Sequence, residues 1–169
     1  MKQYAFALVF GITAPMISSS TLASSTILCP DISQARQIVD CPAEEEVKRM
    51  FKSTCGFERD PKAAKPEKCD SYAEFKRRKY NALWESSDGE FMGYVTCALP
   101  PAEVKMIKPS SVAVSQKNGL YKIACNYAEG IKFTLRTRSV CKVPGVKNSM
   151  VVMRADCGSD GSACKVECD

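Results

Sequence analysis

Apolar side chains recur at every second position from Tyr121 to Tyr127 and again from Ile131 to Leu135, at the start of a stretch that runs to residue 140. A period of two places alternate side chains on opposite faces of a β-strand. The pair Asn118-Gly119 precedes the first stretch and supplies the positive φ angles of a tight hairpin, whose other strand is the run 112–114. We therefore predict a three-stranded antiparallel meander with one apolar face and one wet face.

Before this meander the pattern favours helices. Ser33 is a suitable N-cap for a short helix over residues 33–39. Residues 44–55 begin with three glutamates, which suit the positive end of a helix dipole, and this helix should stop at Gly56. A third helix is predicted over residues 70–84, where the apolar side chains cluster on about half of the helical wheel. The spacing of Cys29, Cys41 and Cys55 suggests a disulfide-stapled helical hairpin.

The remaining stretches predict loop, strand and coil. Residues 58–68 hold two prolines and almost no large apolar side chains, which is typical of a loop. Residues 91–99 alternate like a strand, and residues 150–153 form a last strand. Residues 157–169 are small, acidic and cysteine-rich, so we expect a stapled coil there.

These elements predict an α+β fold, in which two or three N-terminal helices are disulfide-stapled to a small antiparallel β-meander sheet. The chain of 169 residues has room for one domain. We expect it to cover residues 24–169, with a mainly helical part at 24–85, a sheet part at 86–156 and a cysteine-rich tail at 157–169. With 45% hydrophobic and 25% charged residues, the composition argues against wholesale disorder.

Residues 1–23 have the features of a signal peptide. Lys2 supplies the positive start, and residues 4–12 form an apolar run that is too short to span a bilayer. Residues 21–23 offer a small-residue cleavage site, so the mature chain is expected to begin near Ser24. The alternative is a short anchor left in place. No later stretch predicts a transmembrane segment.

Cysteine is the residue type that changes this picture most. An even number of cysteines in an exported chain predicts disulfides but leaves their pairing open. A thioredoxin-like site is disfavoured because no Cys-x-x-Cys occurs, and a mixed zinc site because histidine is absent. We therefore expect no metal and no cofactor. The predicted disulfide cysteines are Cys29, Cys41, Cys55, Cys69, Cys97, Cys125, Cys141, Cys157, Cys164 and Cys168.

Positive charge concentrates around the meander. Residues 112–154 hold eight basic residues and one acidic residue, whereas residues 155–169 hold four acidic residues and one basic residue. The wet face of the meander should carry a candidate anion-binding surface, because clustered positive charge attracts phosphate, sulfate or carboxylate. The alternative is an ordinary solvated face that discourages edge pairing. The candidate residues are Lys122, Lys132, Arg136 and Arg138.

The densest run of basic residues lies elsewhere, at 76–79 on the third predicted helix. Such a run can bind nucleic acid or a glycan. A solvated helix face is the simpler explanation, because charged side chains are mostly exposed. The sequence favours the solvated face.

Candidate catalytic groups are sparse. Because the chain has no histidine, Ser-His and Cys-His nucleophile systems are excluded. Ser-x-x-Lys occurs at 139–142 and 162–165, but the companion motifs of the penicillin-binding proteins are missing. Glu85, Asp88 and Glu90 could supply a carboxylate pair for glycoside hydrolysis, although acidic residues around an Asp-Gly turn are common.

Four spaced features stand out along the chain: Cys29-Pro30, Trp84 before Gly93-Tyr94, the stretch 121–127 and the closing cysteine cluster. Together they resemble an uncharacterised family of short, cysteine-containing exported proteins of gamma-proteobacteria. The resemblance covers residues 84–168, and the chain departs from it by the cysteine-rich insertion at 41–69 and by the lack of an aromatic ending. The family carries no agreed activity, so the resemblance implies only a bacterial periplasmic or secreted protein.

The sequence thus favours an exported, non-enzymatic binding module that engages an anionic ligand or surface through its basic sheet face. One alternative is a structural accessory of an envelope or secretion assembly, or an effector that binds a host protein. A small hydrolase that uses carboxylates is a third hypothesis. The expected partner is a protein or an anionic glycan or lipid rather than a nucleic acid, and the oligomeric state stays open.

Overall fold

Two antiparallel sheets dominate the computed structural model, which describes residues 24–55, 69, 71–147, 152–158 and 163–169. The strands in these ranges are β1 Ser25–Leu28, β2 Arg36–Val39, β3 Asn81–Glu85, β4 Met92–Thr96, β5 Pro109–Lys117, β6 Leu120–Tyr127, β7 Lys132–Thr137, β8 Cys141–Lys142, β9 Val152–Asp156 and β10 Lys165–Cys168. The helices are α1 Glu44–Cys55, α2 Tyr72–Lys79 and α3 Pro101–Val104, with 3-10 turns at Ile32–Gln34 and Ala128–Gly130.

The larger sheet has seven strands in the order β2-β3-β4-β7-β6-β5-β9, and the smaller one has the order β1-β10-β8. The predicted meander is confirmed as β5, β6 and β7, which pair with neighbours in sequence. Asn118 and Gly119 form the β5–β6 hairpin with φ angles of 52° and 75°. Because β7 also pairs with β4 and β5 also pairs with β9, the meander lies inside the larger sheet.

The prediction of a helix over residues 33–39 is wrong. Asp31 caps a single 3-10 turn by accepting a hydrogen bond from the Ser33 N–H, and the turn ends at Ala35 with extended backbone. The chain then continues as β2, which pairs with β3. The local capping signal is real, but pairing with β3 satisfies the backbone of this segment better than a lone short helix could.

The third predicted helix is too long, because α2 ends at Lys79 and β3 begins at Asn81. Ala82 and Trp84 are buried while their neighbours are partly exposed, which is the period of a strand. The coil prediction for residues 157–169 is also wrong in part, since Lys165–Cys168 forms β10 between β1 and β8. In both segments, hydrogen bonding to neighbouring strands determines the secondary structure.

The fold is thus a mixed α and antiparallel β structure with several disulfides, in which sheets dominate. The part of the chain predicted to be mainly helical, residues 24–85, contributes β1, β2 and β3 as well as α1 and α2. Helix α1 agrees with the prediction for residues 44–55. The predicted signal peptide at 1–23 and the predicted loop at 58–68 lie outside the described residues.

One hydrophobic cluster joins the inner faces of both sheets. Phe133 is fully buried at its centre and packs edge-to-face on Tyr127, with ring centroids 5.8 Å apart. The Tyr127 hydroxyl donates a hydrogen bond to the Pro30 carbonyl oxygen at 2.6 Å, and burial raises the pKa of this phenol. The tyrosine therefore ties the N-terminal segment to β6 while it fills the core.

All ten cysteines are paired. Two bridges connect the segments of the small sheet to the larger one, because Cys29 follows β1 and Cys125 lies in β6, while Cys157 follows β9 and Cys164 precedes β10. The disulfides are Cys29–Cys125, Cys41–Cys97, Cys55–Cys69, Cys141–Cys168 and Cys157–Cys164. Five disulfides in a chain of this size are characteristic of an oxidising compartment.

The helical hairpin is stapled by one bridge rather than by three neighbouring cysteines. Cys55 at the end of α1 bonds to Cys69 just before α2. Phe51 packs edge-to-face against Phe75 and Tyr72, with ring centroids 5.3 and 5.5 Å apart. Cys29 and Cys41, which the spacing grouped with Cys55, bond instead to the larger sheet.

Candidate functional site

The basic residues singled out by the sequence lie together on the outer face of the larger sheet. Lys122 in β6 stands directly opposite Arg136 in β7, and Lys132 stands opposite Asn126. Arg138 follows β7 by one position beyond its end and is exposed. We call Lys122, Lys132, Arg136 and Arg138 the basic face. The alternation that buries Cys125 and Phe133 on the inner side necessarily turns this face outward.

The basic face is not an edge of the sheet. Strand β7 is the fourth of seven strands and is hydrogen-bonded to β4 on one side and to β6 on the other. Positive charges that protect against aggregation are expected on edge strands, where backbone groups are unpaired. The charges on β6 and β7 therefore need another explanation than protection of an edge.

Within the described part of the chain, none of the four basic-face residues forms an ion pair. The ion pairs that are present lie in the helical hairpin, at the Arg36–Glu85 pair, at the Lys108–Asp31 pair and in the small sheet. Clustered cations that no carboxylate neutralises produce a positive potential over the surface. An external anion can supply the missing counter-charge.

A row of small side chains crosses the sheet between these cations. Thr134 in β7, Ala124 in β6 and Ala113 in β5 are directly opposite one another, with Met92 of β4 at one end and Arg154 of β9 at the other. Neighbouring strands are about 4.8 Å apart, so this row is about 19 Å long. The row of small side chains therefore separates Lys132 from Lys122 and Arg136 on the outer face of the sheet.

Two adjoining depressions lie over this surface. One, of about 770 Å³, is lined by the β5–β6 hairpin together with Lys122, Arg136 and Arg138. The other, of about 520 Å³, is lined by Lys122, Lys132 and Arg136 and by residues of β3 and β4. Both volumes fall in the range of small-molecule sites. Because Lys122 and Arg136 line both, the two depressions adjoin at these two side chains.

An apolar patch that the sequence did not predict borders the basic face. Tyr94 is 69% exposed and Met92 is 45% exposed, and both project from β4 on the same side as Leu83 of β3. Tyr94 stands directly opposite Lys132. The alternation along residues 91–99 could have shown that these side chains face outward, but only the pairing of β4 with β7 brings them to the cations.

The basic run on α2 is largely neutralised. Lys76 pairs with Glu44 of α1 at 2.5 Å and lies 5.0 Å from the Tyr80 ring centroid. Arg77 and Arg78 both pair with Glu74, at 2.9 and 3.8 Å. The Lys76–Glu44 pair joins α2 to α1, while the two Glu74 pairs lie within α2. This pattern agrees with a solvated helix face rather than a nucleic-acid site.

Two of the three candidate carboxylates, those of Glu85 and Asp88, are engaged in structural contacts. Arg36 binds Glu85 through two donor nitrogens, at 2.9 and 3.1 Å, across the β2–β3 pair. The Ser86 hydroxyl and the Glu90 N–H donate hydrogen bonds to the Asp88 carboxylate and lower the pKa of that carboxyl. A general acid for glycoside hydrolysis needs a raised pKa, so Asp88 is unsuited to that role.

The Asp88→Asn variant should lose stability in a pH-dependent way. Because the folded pKa of Asp88 lies below its ordinary value of 3.8, ionised Asp88 stabilises the fold above that pH. This contribution disappears as the pH falls through the folded pKa. Urea unfolding of wild type and variant should therefore differ at neutral pH and converge in acid. The Glu90→Gln variant is the control, because the Glu90 carboxylate accepts no hydrogen bond from the described residues, and an equal loss there would contradict the assignment.

The remaining catalytic candidates, a metal site and the two Ser-x-x-Lys patterns, find no support among the described residues. Among the described residues, no group of three or more cysteine, aspartate, glutamate or histidine side chains is placed to hold a metal ion. Lys142 of the first Ser-x-x-Lys pattern forms an ion pair with Glu167 at 3.4 Å. Ser162 of the second pattern lies outside the described ranges.

Comparisons of the chain with protein-family models, with curated proteins and with solved structures each found no match. In the described part of the chain, no helix combines the length and apolar character that crossing a bilayer requires. The site must therefore be interpreted from its own geometry and charge.

Proposed function

We propose that this protein is an exported binding module that holds an anionic ligand on its basic face and has no catalytic chemistry of its own. The observation that carries the proposal is the position of three basic-face residues on central strands, with Arg138 just beyond the end of β7, around two adjoining depressions. None of the four forms an ion pair with another described residue. Edge protection does not account for cations at this position, and an anion would complete their electrostatics.

We further propose that the module works in the bacterial periplasm or after secretion. The five disulfides support an oxidising compartment outside the cytoplasm. The signal peptide expected at residues 1–23 and the family resemblance support bacterial export. The disulfides let a small core hold a rigid sheet, which keeps the cations in place before a ligand arrives.

Reversing Lys132, Arg136 and Arg138 to glutamate should weaken binding to an immobilised polyanion such as heparin by about tenfold or more at low salt. The wild-type affinity should fall steeply as salt rises, since its electrostatic part is screened. The variant should show a flatter salt dependence. Surface plasmon resonance over a salt series measures both effects, and circular dichroism checks that the variant folds.

The matched control reverses three other exposed lysines, Lys79, Lys105 and Lys165, which lie outside the basic face. This control changes the net charge by the same amount. It should retain most of the affinity of the wild type. If both triple variants lose binding equally, the overall charge rather than the basic face is responsible, and the proposed site is wrong.

A protein-docking role in an envelope assembly, or as an effector, is the second candidate. Edge strand β2 favours it, because all four of its residues are exposed and they include Ile38 and Val39. An exposed edge can accept a strand from a partner. A stoichiometric complex with one protein that survives high salt and is lost in the Ile38→Asp variant would favour this role over anion binding.

A further inference from the structure

We propose, on the basis of the function above, that the ligand is a linear acidic oligosaccharide. One of its rings would stack on Tyr94 while its anionic groups contact Lys122, Lys132 and Arg136. Three observations support this ligand: the apolar patch beside the basic face, the two depressions that adjoin at Lys122 and Arg136, and the central position of β7.

An exposed aromatic ring, that of Tyr94, lies beside a cation, Lys132. In the register of the sheet, Leu83, Tyr94 and Lys132 follow one another across β3, β4 and β7. A sugar ring has an apolar face of C–H groups and a polar rim, so it needs an apolar platform beside polar donors. Tyr94 supplies such a platform, because a tyrosine presents an apolar body and a polar tip. A simple inorganic anion would have no use for it.

The basic face and its two depressions extend over more than the length of a single small anion. Along β7, Lys132 and Arg136 are four residues apart, which corresponds to about 13 Å. The depression on the Tyr94 side and the one beside the β5–β6 hairpin share Lys122 and Arg136. A ligand that occupies both must be elongated and must present more than one negative charge. A chain of acidic sugars has both properties.

The basic face cannot bind a peptide in the usual way, which is to add it as a strand to a free sheet edge. An extended acidic peptide gains affinity chiefly by main-chain hydrogen bonds to a free strand edge. Strands β6 and β7 have partners on both sides, so the basic face offers no such edge. Recognition at this position must come from side chains, through charge and stacking.

The surface of the site is recessed. Depressions of about 770 and 520 Å³ lie among the long basic side chains, and the short side chain of Thr134 lines the second of them. A recessed surface suits a discrete chain that lies in it. A bilayer surface is flat and would contact the long side chains alone. The geometry therefore points to an oligosaccharide rather than to a membrane.

The test compares a heparin-derived oligosaccharide with poly-L-glutamate of similar charge, using titration calorimetry at low salt. The Tyr94→Ala variant should bind the oligosaccharide about five- to tenfold more weakly, because the phenol no longer removes apolar surface from water. Its affinity for polyglutamate, which has no ring, should change less than about twofold. Tyr94→Phe should retain affinity for the oligosaccharide. Met106→Ala, which also removes an exposed apolar side chain, is the matched control and should bind as wild type does.

The outcomes separate the two proposals. If Tyr94→Ala weakens both polyanions equally or neither, the saccharide inference fails while the anion-binding function stands. If an oligothymidylate or vesicles of phosphatidylglycerol bind more tightly than the oligosaccharide, a nucleic acid or a membrane replaces the saccharide. If none of these polyanions binds the wild-type protein, both proposals are overturned.

Discussion

Replacing Cys29 and Cys125 together with alanine should lower the free energy of unfolding by about 4–5 kcal/mol. The bridge joins residues 96 positions apart, and the intact Cys41–Cys97 bridge already spans 56 of these, so loss of the Cys29–Cys125 bridge releases a loop of about 40 residues in the unfolded chain. In the chain-entropy account, stabilisation grows with the length of the loop that the bridge closes. Cys125 is also fully buried, so its substitution removes packing in the core. We expect this to be the largest effect of removing one bridge.

Urea unfolding followed by the fluorescence of Trp84 measures this effect, because Trp84 is the single tryptophan and is buried. The double Cys55→Ala and Cys69→Ala variant is the control. Its bridge spans only 14 positions and joins the two helices, away from the main core cluster. It should destabilise the Trp84 region less. If both double variants unfold at the same urea concentration, the Cys29–Cys125 bridge does not have the central role proposed for it.

Gly93→Ala should lower the free energy of unfolding by about 3 kcal/mol. A Cβ atom at Gly93 would lie 2.5 Å from the Lys132 carbonyl oxygen and 3.0 Å from Cδ2 of Phe133. The first neighbour is backbone and the second is a fully buried ring, so neither can move cheaply. Strands β4 and β7 would have to separate, which would also displace the Tyr94 platform from Lys132.

The control for Gly93→Ala is Gly119→Ala in the β5–β6 hairpin. No atom lies within 4 Å of the added Cβ there, but its φ angle of 75° is strained for alanine. That strain should cost only about 1 kcal/mol. Thermal or urea unfolding compares the two variants directly. A Gly93→Ala protein as stable as the wild type would mean that β4 and β7 are not in close contact at this point.

Local patterns predicted the elements whose partners are near in sequence. The Asn118-Gly119 turn and the alternation on each side of it specify β5, β6 and β7, because adjacent strands of a hairpin need no distant partner. The same alternation placed Lys122 and Arg136 on the wet face. The glutamates at 44–46 likewise marked the start of α1 correctly.

Elements that depend on distant partners were predicted less well. Residues 33–39 and 80–84 have local helical signals, yet the structure contains β2 and β3 there because each finds a strand partner. The spacing of the cysteines likewise could not predict the disulfide between Cys29 and Cys125. Local propensity is a weak prior when tertiary pairing supplies the backbone hydrogen bonds.

The sequence by itself determined the disulfide-rich character, the central meander and the outward direction of its cations, because these depend on composition and on contacts between neighbours in the chain. Only the tertiary structure decided that β7 lies inside a seven-stranded sheet, that Tyr94 stands opposite Lys132 and that Gly93 must lack a side chain. These features arise where β4 meets β7, some forty residues later in the chain. A sequence pattern with a period of two specifies the face of a side chain, but the identity of the neighbouring strand depends on how the whole chain packs.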